Sequence, residues 1–204
     1  MFSLSSRRHA RARAVAAVSL LLLAAPVLAG CTASDSLAQQ ARAGDGKNYI
    51  AGDGSVQEYT AGNRGNPVSF SSKLFNGETV DAASFRGKVT VLNFWYAGCP
   101  PCRAEAKDLE SLYQQFKPTG TQFYGVNVRD DAPTAAAFER TFGTTYPSFE
   151  DRNGTVLLAM AQYVPPQSVP TTIVLDKQGR VSARILGRLD KGTLKSLIQS
   201  AQQS

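Results

Sequence analysis

Apolar positions along the chain change their period several times, and each change predicts an element. Val89 to Tyr96, VTVLNFWY, is a near-continuous apolar, β-branched and aromatic run, the pattern of a strand buried on both faces of a parallel sheet. Thr121 to Val128, TQFYGVNV, and Thr171 to Asp176, TTIVLD, read as further strands. From Pro100 to Phe116 the spacing becomes helical: Glu105, Leu109, Leu112 and Phe116 stand at i, i+4, i+7 and i+11, on one face. Pro133 to Phe142 predicts a second helix that stops at Gly143, and Gly154 to Tyr163 a short third one. Lys177-Gln178-Gly179 turns the Thr171 strand into a partner over Arg180 to Leu186, and Asp190 is placed to cap a last helix running to about Gln202. Upstream, Asn76-Gly77 between extended segments predicts a β-hairpin after Pro67. Strand, helix, strand and helix followed by a hairpin and a helix define an α/β sandwich with a mixed sheet.

Ahead of Pro67 the pattern is of another kind. Arg7, Arg8, Arg11 and Arg13 precede an apolar stretch from Ala14 to Ala29, interrupted by Ser19 and Pro26. It is short and early for a membrane span and reads as an export signal over residues 1–30. Ordinary secretion is the preferred route, although Arg7-Arg8 also fits a twin-arginine start. Leu28-Ala29-Gly30-Cys31 resembles the lipobox of bacterial lipoproteins, which implies a lipid on Cys31 and anchoring of the mature chain to a membrane. Residues 32–66, rich in Ala, Gly, Ser, Asp and Gln, are expected to be a flexible tether, with Tyr49, Ile50 and Tyr59 able to pack locally. The folded domain is then 67–204.

Charge adds little once the signal is set aside. The chain has 22 basic and 16 acidic residues, a net charge of +6. Four of the arginines and no acidic residue precede Cys31, which leaves 18 basic residues against 16. The basic balance belongs largely to the signal and gives no ground for nucleic-acid binding. Cysteine usage is more telling. Besides Cys31 there are only Cys99 and Cys102, and in an exported protein their redox state is a variable.

Three chemistries compete for CPPC. A structural zinc site needs four Cys or His ligands, and the sole histidine, His9, lies in the signal. No metal is expected, nor a Cys–His nucleophilic pair. A disulfide across two intervening residues closes almost no loop, so as a staple it would add little. A redox dithiol fits better. The pair sits where a buried strand ends and a helix begins, with Pro100 and Pro101 in the first turn, where missing N–H groups cost nothing. Cys99 at the helix N-terminus would be the exposed attacking thiolate, and Cys102, facing inward, would resolve the mixed disulfide. Glu105 lies one turn past Cys102 on the apolar stripe. Either burial raises its pKa and makes it a proton exchanger for Cys102, or it sits at the edge of the stripe and reaches solvent.

VTVLNFWYAGCPPCRAE followed far downstream by VPTTIVLD resembles the thioredoxin superfamily, and within it the membrane-anchored TlpA/ResA-like thiol-disulfide oxidoreductases. The resemblance covers Pro67 to the C-terminus and includes the leading segment FNGETVDAASFRGK. It implies a thioredoxin-like three-layer sandwich with a central mixed sheet, an N-terminal β-hairpin and a central insertion between Asp130 and Gln167. It implies a nucleophilic Cys99, a resolving Cys102 and an active-site role for Glu105. It implies also a cis Pro170 beside the dithiol, with Val169 free to pair with substrate and Trp95 opening the active-site loop. Asn93 stands where other thioredoxins carry a buried Asp. No cofactor is implied. The implied partners are exported protein thiols and disulfides, such as apocytochrome c in cytochrome c maturation or copper-site proteins, and a membrane electron donor or acceptor. Reduction of substrate disulfides is the leading direction; a disulfide-forming oxidase and a non-enzymatic anchored binding module are the alternatives. One departure stands out: Gly98 precedes Cys99 where many relatives carry an aromatic residue, leaving a smaller and more open docking surface.

Overall fold

The computed structural model describes residues 52–165 and 167–204. The export signal, Cys31 and the tether up to residue 51 lie outside the described residues. Among the described residues the strands are β1 (Val56–Glu58), β2 (Ser71–Lys73), β3 (Thr79–Asp81), β4 (Thr90–Trp95), β5 (Gln122–Asn127), β6 (Ser148–Glu150), β7 (Thr171–Leu175) and β8 (Val181–Leu186). The helices are α1 (Pro100–Phe116), α2 (Ala132–Phe142), α3 (Thr155–Ala159) and α4 (Lys191–Gln203). One sheet runs in the order β1-β8-β7-β4-β5-β6, and β2 and β3 form a separate hairpin. Pairing is parallel for β4–β5 and β5–β6 and antiparallel for β4–β7, β7–β8 and β1–β8. The α/β sandwich with a mixed sheet expected from the pattern is found, in the thioredoxin-like arrangement that the resemblance implies.

The central strand explains the layering. Every residue of β4 is buried, and successive side chains point to opposite faces. Leu92 and Phe94 join Phe70, Phe85, Phe149, Val156 and Met160 on the side of the hairpin and α3. Val91 joins Leu109, Leu112 and Phe116 of α1 and Leu194, Leu197 and Ile198 of α4 on the other side. Asn93 shares the α1 side with Val91, so a polar side chain is delivered into an otherwise apolar layer.

Helix ends follow local chemistry. Cys99 is the N-cap of α1, with Pro100 and Pro101 in the first turn. Asp131 caps α2 by accepting the Thr134 N–H at 3.0 Å, and Asp190 caps α4 by accepting the Thr193 N–H at 2.8 Å. Gly143 ends α2 at φ 70°, in the left-handed region that favours glycine.

The folded part begins earlier than Pro67, which corrects the expected tether boundary. Gly54 N donates to Leu186 O at 2.8 Å, and β1 adds an edge strand to β8 with Val56 opposite Ile185. Tyr59 packs edge-on against Tyr163, with ring centroids 5.7 Å apart. Arg64 reaches the buried Asp176 at 3.0 Å, and Arg180 holds the same carboxylate at 2.9 Å. All three residues of β1 are exposed, so no apolar alternation marks it in the sequence.

Candidate active site

The site forms where β4 gives way to α1. Cys99 and Cys102 are joined in a disulfide, with Cα atoms 5.3 Å apart. The Cys102 N–H points at Cys99 Sγ at 3.2 Å. That amide is one of the unpaired donors of the helix start, and it would stabilise negative charge on the sulfur after reduction. The loop ahead of the disulfide is held from three directions. Asp130 accepts the Ala97 N–H at 2.6 Å and the Asn127 side-chain amide at 2.8 Å. Arg103 donates to Ala97 O at 3.3 Å, and the Arg129 guanidinium lies 4.2 Å from the Tyr96 ring centre. Gly98 is left exposed at the tip.

The Val169–Pro170 peptide is cis, and Val169 O lies 4.0 Å from Cys99 Sγ. The Val169 side chain packs in one cluster with both cysteines, Trp95, Tyr96, Ala106 and Phe138. Pro170 O in turn accepts the Gly187 N–H at 2.8 Å, which ties this loop to the segment after β8.

Two expectations need correction. Cys99 is not exposed in the disulfide form: it is 0% accessible and Cys102 is 2% accessible. A cap position fixes where the backbone goes and says nothing of what covers the sulfur. Trp95 is likewise buried. Its ring packs on Phe138, centroids 4.4 Å apart, and its indole nitrogen crowds the space above Gly125. It supports the loop from beneath and presents no surface to a docking chain.

Glu105 is fully buried. Its Oε1 accepts the Asn93 side-chain amide at 2.8 Å, and its Oε2 accepts the Leu189 N–H at 2.9 Å. Asn93 also donates to Thr172 Oγ1 at 3.1 Å; the two residues are cross-strand neighbours on β4 and β7. Burial pushes the Glu105 carboxyl up to about 7, against the Leu189 and Asn93 hydrogen bonds and the charge of Arg188, which pull it down. The alternative in which Glu105 reaches solvent does not occur. A cavity of about 10 Å³ beside the disulfide is lined by Cys102, Asn93, Trp95, Thr144 and Tyr146, among others, about enough room for one water. Burial also raises the Tyr146 phenol well above its usual range, with Glu105 acting in the same direction.

The hydrogen bonds of Asn93, Thr172 and Leu189 to this site were missed from sequence. One signal was available: a polar residue inside a strand buried on both faces requires a buried partner, and the only acid on the facing helix stripe is Glu105. Among the described residues no group of three His, Cys, Asp or Glu side chains is placed to hold a metal ion.

A thioredoxin-like sheet that ends in a CxxC disulfide, with a cis-proline beside it and a buried acid beneath it, defines a class of redox protein. The chain belongs to the Redoxin family, whose pattern it matches over residues 60–199. It is similar to the thiol-disulfide oxidoreductase ResA of Geobacillus thermodenitrificans, 35% identical over 116 residues, a match covering 57% of this chain and 64% of ResA. The chain thus spans just under two thirds of that relative. Among solved structures it is similar to a secreted thiol-disulfide isomerase from Corynebacterium glutamicum, with a TM-score of 0.69 and 28% identity over 74% of this chain and 95% of the other. It is also similar to a DsbF homologue from Corynebacterium diphtheriae, with a TM-score of 0.62 and 32% identity over 73% and 94%.

Proposed function

We propose that this chain is an extracytoplasmic thiol-disulfide oxidoreductase that works by exchange at Cys99 and Cys102. The observation that carries the reading is the disulfide at the start of α1 with a buried carboxyl, Glu105, one turn beneath it. A short-loop disulfide adds little stability, and a buried acid without an ion-pair partner is costly. Neither belongs in a purely structural element.

In the reducing direction the Cys99 thiolate attacks one sulfur of a substrate disulfide. A mixed disulfide forms and the first substrate thiolate leaves. The Cys102 thiol gives its proton to the Glu105 carboxylate and attacks the Cys99 sulfur. The second substrate thiolate leaves, the disulfide seen here forms, and two electrons have passed to the substrate. Glu105 returns its proton to solvent, and its pKa near neutrality suits it to both steps. The Val169 backbone pairs with the substrate next to the cis-proline. The substrates are disulfides of exported proteins such as apocytochrome c or copper-site proteins, and a membrane electron donor restores the dithiol. A lipid on Cys31 holds the domain at the membrane surface. The extracytoplasmic setting draws support from similarity to a protein described as secreted.

Insulin reduction by the full chain tests the chemistry: Cys99→Ser abolishes exchange, and exchange at the wild-type rate in that variant would overturn the mechanism. The reduction potential of the pair tests the direction. A value more negative than that of the surrounding compartment is expected for a reductase, and a more positive one would reverse the assignment.

A further inference from the structure

The carboxyl beneath the dithiol is useful only if it is held still and held facing the right groups. Each oxygen of Glu105 has one donor: the Asn93 amide on Oε1 and the Leu189 N–H on Oε2. The Leu189 donor is backbone and survives any change of side chain other than to proline. The Asn93 donor is a side chain fixed in its turn by Thr172, its neighbour across β4 and β7. Strand alternation aims both residues at α1, and Asn93 also lines the small cavity that Cys102 faces. One amide therefore touches the acid, its anchor on the sheet and the space next to the resolving sulfur.

The geometry points to Asn93 as the positioning residue of this site: it orients Glu105 toward Cys102 and sets how readily the carboxyl takes and releases the Cys102 proton. This rests on the reading of Glu105 as the proton partner of Cys102. Both hydrogen bonds to the carboxyl favour its charged form. Burial alone would hold Glu105 protonated and unable to accept a proton from Cys102; the Asn93 donor opposes burial. Other groups act from further away. On α1, Asp108 raises the carboxyl; in the loop after β8, Arg188 lowers it; Tyr146, before β6, is neutral in the working range and is itself raised by Glu105. Of the side chains around the acid, Asn93 is the one that combines a direct hydrogen bond with a place beside Cys102.

The test is a carboxyl ¹³C NMR titration of Glu105 in the oxidised full chain, with the pH profile of single-turnover insulin reduction by the reduced chain. In the wild type the rate carries the ionisation of the attacking Cys99 thiol and a second, near neutrality, from Glu105; Glu105→Gln removes the second and keeps the first. Asn93→Ala moves the Glu105 titration, and the second ionisation in the rate, upward by about one pH unit, as expected for loss of one hydrogen bond to a charged group. Asn93→Asp, close to isosteric and expected to fold, puts two carboxyls side by side and splits the single titration into two steps. A Glu105 titration unmoved by Asn93→Ala, or unsplit by Asn93→Asp, overturns the role of Asn93 even if Glu105→Gln has its expected effect. If Glu105→Gln leaves both ionisations in the rate intact, the underlying reading of Glu105 falls, and the role of Asn93 falls with it.

Discussion

Replacing Glu105 by Gln should change stability in a way that depends on pH. In the folded protein the carboxyl takes up its proton at about 7, against an ordinary value of 4.5. Between those two values the folded chain holds a proton that the unfolded chain has released, so wild-type stability falls as pH rises through the interval. At about 1.4 kcal/mol per pH unit, an interval of about 2.5 units gives a ceiling of about 3.5 kcal/mol. Gln cannot ionise and escapes this loss. It carries a fixed penalty instead, because its oxygen can accept from only one of Asn93 and Leu189, leaving the other donor unmatched at a cost of about 1–3 kcal/mol. The informative quantity is therefore the difference between variant and wild type at each pH, in which the other titrating groups cancel. Urea denaturation of the oxidised proteins from pH 4 to pH 8 measures it. The variant should gain about 3 kcal/mol relative to wild type over that range, or about 6–12 °C in Tm for a domain of this size. A difference that stays flat would show that the folded carboxyl titrates at its ordinary value, and one that moves the other way that it stays ionised; either would refute burial as the control of its titration.

Three further outcomes follow from packing and charge. Gly125→Ala should destabilise by about 1–3 kcal/mol in chemical denaturation, because the added Cβ would sit 2.5 Å from Trp95 Nε1 and 2.4 Å from Ser148 Oγ. Gly98→Ala should leave stability within about 0.5 kcal/mol and insulin exchange close to wild type, since its Cβ meets nothing nearer than the Tyr96 ring at 3.5 Å. Asp176→Asn should lower stability by about 3 kcal/mol in the same denaturation assay, because it leaves Arg64, whose side chain is only 5% accessible, without its counter-charge.

Legibility in the sequence tracked how strongly each element depends on local pattern. The bounds of α1 were readable because two prolines start it and an apolar stripe ends at Phe116. The β7–β8 hairpin was readable from its strands and the turn at Gly179. β1 was not, since its exposed residues gain their order from pairing with β8 and from Arg64 reaching Asp176 across 112 positions. The position of the cysteines at a strand–helix junction was plain, but their complete cover was not, because Val169 comes from a loop 70 residues away. Glu105 was visible as an acid on an apolar stripe. Its partners were not, because Leu189 acts through its backbone and Thr172 through its place opposite Asn93 in the sheet register. Asn93 lay between these cases: its burial could be inferred, and its contact required knowing that β4 turns this side chain toward α1.

The central claim is that Cys99 attacks and Cys102 resolves. Trapping mixed disulfides in the Cys99→Ser and Cys102→Ser variants of the full chain, with the adduct site located by peptide mass spectrometry, tests it most directly. Cys102→Ser should accumulate substrate joined through Cys99, since the attacking sulfur remains and the resolving one is gone, and Cys99→Ser should accumulate none. Adducts joined through Cys102 in the Cys99→Ser variant, or no adduct in either, would contradict the account.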